Sequence, residues 1–199
     1  SLYFEGHFIN IVFAIKAEDL DWDTRIVKTE KVSFQVETYA DGFEIPWGMA
    51  FLPDNRMMVT DRIGDLWIVE KDGKDKVKVS GEIPNVRSKG QGGMLDVAVH
   101  PDFNTNSYIY LSYSDYSENK SHTSLIRAKL VNNSLVNSQI IFRPEEKFFT
   151  KRSLHFGSRI IFDDKGFIFF CIGDRGDRDL AQNLDMPNGK MYRIRDDGT

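Results

Sequence analysis

The sequence lacks several features that define common classes of protein. It contains a single cysteine, which excludes an intramolecular disulfide framework and a cysteine-rich zinc site. Its 26 basic residues are outnumbered by 30 acidic ones and form no block, so a nucleic-acid-binding protein is disfavoured. No apolar run is long enough to span a bilayer. The 199 residues, 41% hydrophobic and 28% charged, have the composition of a globular protein.

Helical patterning is missing as well. No segment repeats its apolar residues with a sustained period of about 3.6 between capping residues, so few helices are predicted. Aromatic residues, which favour strands, are instead abundant at 13% of the chain. These two features together predict an all-β fold.

Three copies of one pattern indicate which all-β fold this is. Each copy has an apolar strand, a turn rich in Pro, Asp, Asn or Gly, and a second apolar strand, and such turns join antiparallel strands. The turns are centred on Pro53, Pro101 and Asp163. Further strands at 65–70 and 124–130 bring the units to about four strands each, as in a propeller blade. The turns are 48 and 62 positions apart. Spacings near 40–50 residues are typical of β-propellers, and a β-sandwich is the alternative.

The number of repeats predicts the domain organisation. A propeller closes its ring with about 4–8 blades, whereas the repeats here supply about three. We therefore predict that residues 31–199 form the N-terminal part of a larger ring. An N-terminal tail, residues 1–30, precedes this domain.

The tail contains the apolar run Phe8–Ala14, which the acidic residues Glu18 and Asp19 follow. This arrangement resembles the end of a secretory signal peptide and predicts a periplasmic or secreted protein without a transmembrane segment. The alternatives are an ordinary strand and the remnant of a cleaved tag, because residues 2–7 resemble such a tag.

A glycine-rich segment with one glutamine precedes the second repeat. Gly90, Gly92 and Gly93 surround Gln91. Glycines let the backbone approach a ligand closely, and a glutamine amide both donates and accepts hydrogen bonds. The segment is no phosphate-binding loop, because the Gly-Lys-Ser/Thr ending and the following helix are missing. Gln91 is therefore a candidate binding residue, and a tight turn is the alternative.

His155 is the candidate general base, because an imidazole ordinarily exchanges protons near neutral pH. It precedes the third repeat, and loops at the end of a rigid sheet commonly carry functional residues. The other histidines are less well placed, since His7 lies in the tail, His100 precedes a turn proline and His122 is interpreted as part of a polar loop. A buried structural histidine is the alternative for His155.

Asp174 follows the strand that returns from the third turn. The outer ends of two hairpin-linked strands meet, so Asp174 is predicted to lie beside His155, where a carboxylate fixes the tautomer of the imidazole and stabilises its protonated form. The nearby Asp177 and Asp179 lack the spacing of an EF-hand loop, so no metal site is predicted there. Cys171 is predicted to be packed within the sheet.

Taken together, these segments resemble the glucose/sorbosone dehydrogenase family, the quinoproteins that oxidise aldose sugars with pyrroloquinoline quinone (PQQ). The resemblance extends in order from about Val36 to Gly198. It rests on four segments, which are Ile45–Asp54, Gly90–Phe103, His155–Arg159 and Gly173–Gly176.

The resemblance implies a six-bladed β-propeller with PQQ over its central channel. It implies that His155 is the general base, which removes the proton of the anomeric hydroxyl while hydride passes to PQQ and a lactone forms. It further implies that Asp174 hydrogen-bonds this base and that Gln91 contacts the cofactor and substrate. An external acceptor then takes the electrons.

Some parts of the family pattern are absent from this sequence. The resemblance implies that the cationic residues that grip PQQ and the carbonyls that hold its calcium ion come from later blades, so this chain alone is expected to be inactive. Leu154 replaces an acidic residue of some members, and Asp179 replaces a glutamine of one branch, which leaves the sugar open. The alternative function is a non-catalytic propeller resembling Hedgehog-interacting proteins, which binds protein or glycan. The presence of His155, Asp174 and Gln91 favours the enzyme.

Overall fold

The computed structural model describes residues 25–163 and 165–199. Strands account for 47% of the structure and helices for 6%, which confirms the predicted all-β class. Within the described residues, helix is confined to α1 (Phe103–Asn106) and to the 3-10 turns Glu146–Phe148 and Arg178–Ala181.

A short hairpin opens the described part of the chain. It pairs β1 (Arg25–Lys28) with β2 (Ser33–Val36), and so crosses the boundary predicted at residue 30. The candidate signal segment, residues 8–19, lies outside the described residues. None of the helices that are described has the length and apolar character needed to cross a membrane.

Three larger sheets follow the hairpin, and we call them the first, second and third blade. The first blade contains, in spatial order, β3 (Pro46–Phe51), β4 (Met57–Asp61), β5 (Asp65–Val69) and β6 (Lys76–Lys78). The second contains β8 (Met94–Val99), β9 (Tyr108–Ser117), β10 (Lys120–Val131) and β11 (Ser134–Phe142), and β7 (Ser80–Gly81) runs parallel to β11 at its outer edge. The third contains β12 (Ile160–Phe162), β13 (Phe167–Ile172) and β14 (Lys190–Arg195).

The three predicted turns each join the first two strands of a blade. Pro53 lies between β3 and β4, Pro101 between β8 and β9, and Asp163 between β12 and β13, and all three strand pairs are antiparallel. The repeat interpretation is therefore confirmed, and the alternative of a β-sandwich is not supported.

The first strands of the blades lie next to one another. β8 contacts β3 on one side and β12 on the other, so these strands are the innermost ones of a β-propeller. Because β8 starts where the Gly90–Gly93 segment ends and β12 starts just after His155, both candidate loops lie at the same end of the inner strands.

The blades are held together mainly by apolar faces. Met58 and Leu66 of the first blade pack in one cluster with Ile109 and Leu111 of the second. A second cluster joins the second and third blades, and its members include Tyr110, Leu125, Ile168, Phe170 and Ile172. Burying each such side chain contributes about 1.5–3 kcal/mol, so these faces fix the relative positions of the blades.

Two buried polar side chains connect neighbouring blades. Thr60 donates a hydrogen bond from its hydroxyl to the carbonyl of Leu95 at 2.5 Å, which joins the first blade to the second. Asp96, which is 1% exposed, accepts bonds from the Arg159 guanidinium at 2.7 Å and the Ile160 amide at 2.8 Å, which joins the second blade to the third. Burial raises the pKa of Asp96, and these two donors oppose that rise.

The interpretation of His122 as part of a polar loop is wrong. His122 lies within β10 with none of its surface exposed, because β10 is longer than its apolar core at 124–130 suggests. Its Nδ1 accepts a hydrogen bond from the Thr123 amide at 2.9 Å, so the ring carries its proton on Nε2 and is neutral. Burial lowers the pKa of His122 to about 4, and the neighbouring Arg175 charge acts in the same direction.

We predict that Asp96→Asn destabilises the protein. The asparagine side chain has one carbonyl oxygen, so either the Arg159 guanidinium or the buried Ile160 amide loses its acceptor. The expected cost is about 1–3 kcal/mol in the free energy of unfolding, measured by urea denaturation. Asp54→Asn, in the exposed β3–β4 turn, is the control with an expected effect below about 0.5 kcal/mol. Equal effects of the two changes would contradict the proposed role of Asp96 as a connection between blades.

We predict that His122 contributes to destabilisation in acid. Its pKa in the folded protein, about 4, is below the ordinary value near 6.5, so the unfolded state binds more protons in this window. Stability is therefore lost as the pH falls from about 6.5 through 4, by about 3 kcal/mol in total. His122→Gln should lose less stability than wild type between pH 7 and pH 4, measured by denaturation at each pH. A His122→Gln variant that loses as much stability as wild type over this range would contradict the assignment.

Candidate active site

His155 and Asp174 form the central contact of the site. His155 precedes β12 and Asp174 follows β13, and the β12–β13 hairpin brings His155 Nδ1 to 2.6 Å from Asp174 Oδ1. Asp174 Oδ1 also accepts a hydrogen bond from the Gly176 backbone amide at 2.7 Å. The histidine bond, and secondarily the Gly176 amide, lower the pKa of Asp174. The carboxylate is therefore ionised at neutral pH, and it assigns the proton to Nδ1 and leaves Nε2 as the basic nitrogen of the ring.

Gln91 contacts the same residue through the backbone. Its side-chain oxygen accepts a hydrogen bond from the His155 backbone amide at 2.7 Å. The backbone amide of Gln91 donates to the Ser153 carbonyl at 2.8 Å. Within the described part of the chain, the NH₂ group of Gln91 has no protein acceptor. Gln91 thus bonds to the loop before β12 at two points, and its side-chain NH₂ group has two donor hydrogens.

The backbone around His155 adopts conformations that side chains rarely favour. His155 has φ 51°, Gly157 has φ 72° and Ser158 has φ 105°. A Cβ atom at Gly173 would collide with the His155 carbonyl, so the two strand ends approach more closely than any other residue permits. Strain of this kind persists where the surrounding structure enforces it, which is common at functional sites.

A cavity of about 260 Å³ opens beside this contact. Its lining residues come from all three blades, and they are Trp47, Arg62, Gln91, Leu95, His155, Phe156 and Gly157. Gln91 and His155 therefore line one cavity. Asp174 is not among the lining residues, but it contacts the imidazole of His155.

Arg62 and Trp47 were not predicted as site residues. Arg62 directly follows β4, and Trp47 lies in β3 within the first segment that carries the family resemblance. In residues 25–163 and 165–199 the Arg62 guanidinium has no ion-pair partner, and its buried Nε has no acceptor. The feature of the sequence that points to Arg62 is its position just after the end of a strand, a position similar to that of Asp174.

The acidic residues near the site form no recognisable cation site. Among the described residues, no group of three or more His, Cys, Asp or Glu side chains is arranged to hold a metal ion. Asp179 lies in the 3-10 turn Arg178–Ala181. Cys171 is a free, half-buried thiol on β13.

Comparison with known proteins shows which family the chain resembles. The family model described as Glucose / Sorbosone dehydrogenase matches residues 43–199. The aldose sugar dehydrogenase YliI of Escherichia coli (strain K12) is 37% identical over 169 residues, which cover 82% of this chain and 44% of that protein. The chain spans less than half the length of the curated relatives it matches.

Solved structures also match most of this chain and less than half of their own length. The apo form of the soluble aldose sugar dehydrogenase from Escherichia coli matches with a TM-score of 0.71 and 38% identity, over 77% of this chain and 44% of that one. The PQQ-bound aldose sugar dehydrogenase of Streptomyces coelicolor has a TM-score of 0.71 at 24% identity, over 88% of this chain and 49% of that one, and supports the fold. The family match over most of the chain and the similarity to YliI lead to one conclusion: this chain belongs to the glucose/sorbosone dehydrogenase family.

Proposed function

We propose that this chain supplies the proton-accepting half of the active site of a PQQ-dependent aldose dehydrogenase. The observation that carries the proposal is the 2.6 Å contact between His155 and Asp174 at the edge of a cavity that Gln91 also lines. A histidine whose tautomer is fixed by a carboxylate, and whose other nitrogen is basic, is the arrangement that general-base catalysis requires.

The residues that line the cavity fit a planar, carboxylate-bearing cofactor. Arg62 offers a guanidinium with no ion-pair partner in the described chain and a buried Nε without an acceptor. Arginine binds carboxylates through paired donors, and Trp47 adds an aromatic surface. We propose that Arg62 and the Gln91 amide contact PQQ, which when bound supplies the acceptor for a hydride.

The chain's own residues then act on the sugar. His155 Nε2 accepts the proton of the anomeric hydroxyl, so that loss of this proton and of the hydride at the same carbon leaves a lactone. Asp174 stabilises the imidazolium that forms, because its ionised carboxylate accepts a hydrogen bond from the Nδ1–H group. Gln91 keeps the His155 backbone in place during the transfer.

Further elements of the proposal concern the whole protein. We propose that residues 31–199 form the N-terminal part of its propeller, and that later blades hold PQQ through cationic residues and calcium through carbonyl groups. We also propose that the protein is periplasmic or secreted and passes its electrons to an external acceptor. This chain alone is expected to bind PQQ weakly.

We predict that His155→Ala lowers turnover of the whole protein by about 10²–10⁴-fold, since this is the usual contribution of a positioned base. Asp174→Asn should cost less, because the base itself remains. The measurement is reduction of a dye by an aldose after reconstitution with PQQ and calcium. His100→Gln, a histidine that contacts Asp196 away from the cavity, is the matched control. A wild-type protein that neither binds PQQ nor oxidises sugar would instead favour the non-catalytic binding module.

We predict that Arg62→Met weakens PQQ binding by the whole protein about tenfold or more, because a charge-assisted hydrogen bond is worth about 1.5–3 kcal/mol. The dissociation constant is obtained from fluorescence quenching by PQQ, without turnover. Arg56→Met, in the first blade, is the matched control, because Arg56 pairs with Asp54 in a turn away from the cavity. Unchanged affinity in Arg62→Met would exclude Arg62 from the cofactor contacts.

A further inference from the structure

The residue after Asp174 is buried in an unusual way. Arg175 is 1% exposed and is the largest fully buried side chain among the described residues. Its backbone adopts φ 58°, a left-handed conformation that few residues other than glycine favour. This conformation turns the side chain away from the course of β13, beneath the loop that leads to His155.

The Arg175 guanidinium contacts the backbone of that loop. One terminal nitrogen donates to the Leu154 carbonyl at 2.6 Å and the other to the Arg152 carbonyl at 2.8 Å. The guanidinium also lies over the Phe156 ring, 3.4 Å from its centroid. It therefore contacts residues on both sides of His155 in the sequence.

This cation has no direct ion-pair partner among the described residues. In the described part of the chain no Asp or Glu oxygen lies within ion-pair distance of the Arg175 guanidinium. Burial consequently lowers the pKa of Arg175 to about 10, although the more distant Asp174 charge opposes this. A buried cation without an ion-pair partner is costly, and an apolar side chain of similar size is often at least as stabilising. Packing alone gives no reason for an arginine here.

The loop before His155 is thus held from two directions. On the cavity side, Gln91 binds the Ser153 carbonyl and the His155 amide. On the buried side, Arg175 binds the carbonyls that flank Ser153 in the sequence. Successive carbonyls at 152, 153 and 154 are all occupied, which leaves the backbone before His155 little freedom to move.

We propose that Arg175 is a positioning residue, whose guanidinium fixes the loop of residues 152–155 so that the His155 ring stays in register with Asp174. The inference rests on the proposed function for its catalytic consequence, but the positioning itself is independent of PQQ. A displacement of about 1 Å at a reacting group can lower a rate about 10²-fold, so small movements of this loop matter.

The test compares Arg175→Met, which keeps the volume and removes the donors, with Arg175→Lys, which keeps the charge and loses the paired geometry. For Arg175→Met in the whole protein, we expect kcat to fall about ten- to hundredfold while the KM for the aldose changes less than about threefold. Arg175→Lys should recover part of this loss. Arg127→Met is the matched control, because Arg127 also stacks on an aromatic ring, Tyr108, but lies farther along β10 from His155.

A second measurement needs neither PQQ nor sugar. The His155 Nδ1 proton, bonded to Asp174, should give a downfield NMR resonance in the wild-type chain. This resonance should broaden or vanish in Arg175→Met, weaken in Arg175→Lys and remain in Arg127→Met. If Arg175→Met fails to fold, Arg175→Lys decides the question by the same resonance and by hydrogen exchange of the His155 amide.

The outcomes separate the two proposals. A wild-type protein without sugar oxidation overturns the proposed function, and the resonance then tests the positioning role alone. Wild-type kcat with an unchanged resonance in folded Arg175→Met would overturn the positioning role. So would equal losses in Arg175→Met and Arg127→Met, because these would indicate a general effect of removing a stacked arginine.

Discussion

The close approach between the start of β12 and the end of β13 is the constraint on which the site depends. The Ser158 amide donates to the Cys171 carbonyl at 2.7 Å, so the antiparallel pairing continues beyond the regular strands. A Cβ atom at Gly173 would collide with the His155 carbonyl. Because the pairing reaches this far, the imidazole and the Asp174 carboxylate meet without any additional loop to hold them. The hydrogen bond between them is thus a consequence of strand register.

Strand register alone does not determine where the site lies relative to the other blades. Asp96 at the innermost strand of the second blade binds Arg159 and the Ile160 amide at the start of β12. Gln91, just before β8, binds the His155 amide. The second blade therefore fixes the entrance of the third blade at two points, one buried and one exposed. The cavity lies beside the second of these contacts, and residues of all three blades line it.

The parts of this molecule that could be predicted from sequence are local ones. The turns at Pro53, Pro101 and Asp163 carry their own chemistry, and the meeting of His155 with Asp174 follows from hairpin geometry. The burial of His122 and of Arg175 could not be predicted, because it depends on segments distant in sequence that cover these polar side chains. Polar residues ordinarily lie at the surface, so the sequence pattern predicts a loop position for His122.

The two charged residues that follow β13 contact different parts of the loop around His155. Asp174 lies at ion-pair distance from His155, whereas the Arg175 guanidinium is drawn to the carbonyls of Arg152 and Leu154. An arginine paired directly with Asp174 would neutralise the carboxylate and withdraw the stabilisation that an imidazolium needs. By binding carbonyl groups instead, Arg175 orders the backbone and leaves Asp174 Oδ1 bonded to His155 and to the Gly176 amide. Asp174 therefore contacts the ring of His155, and Arg175 contacts the backbone that precedes it.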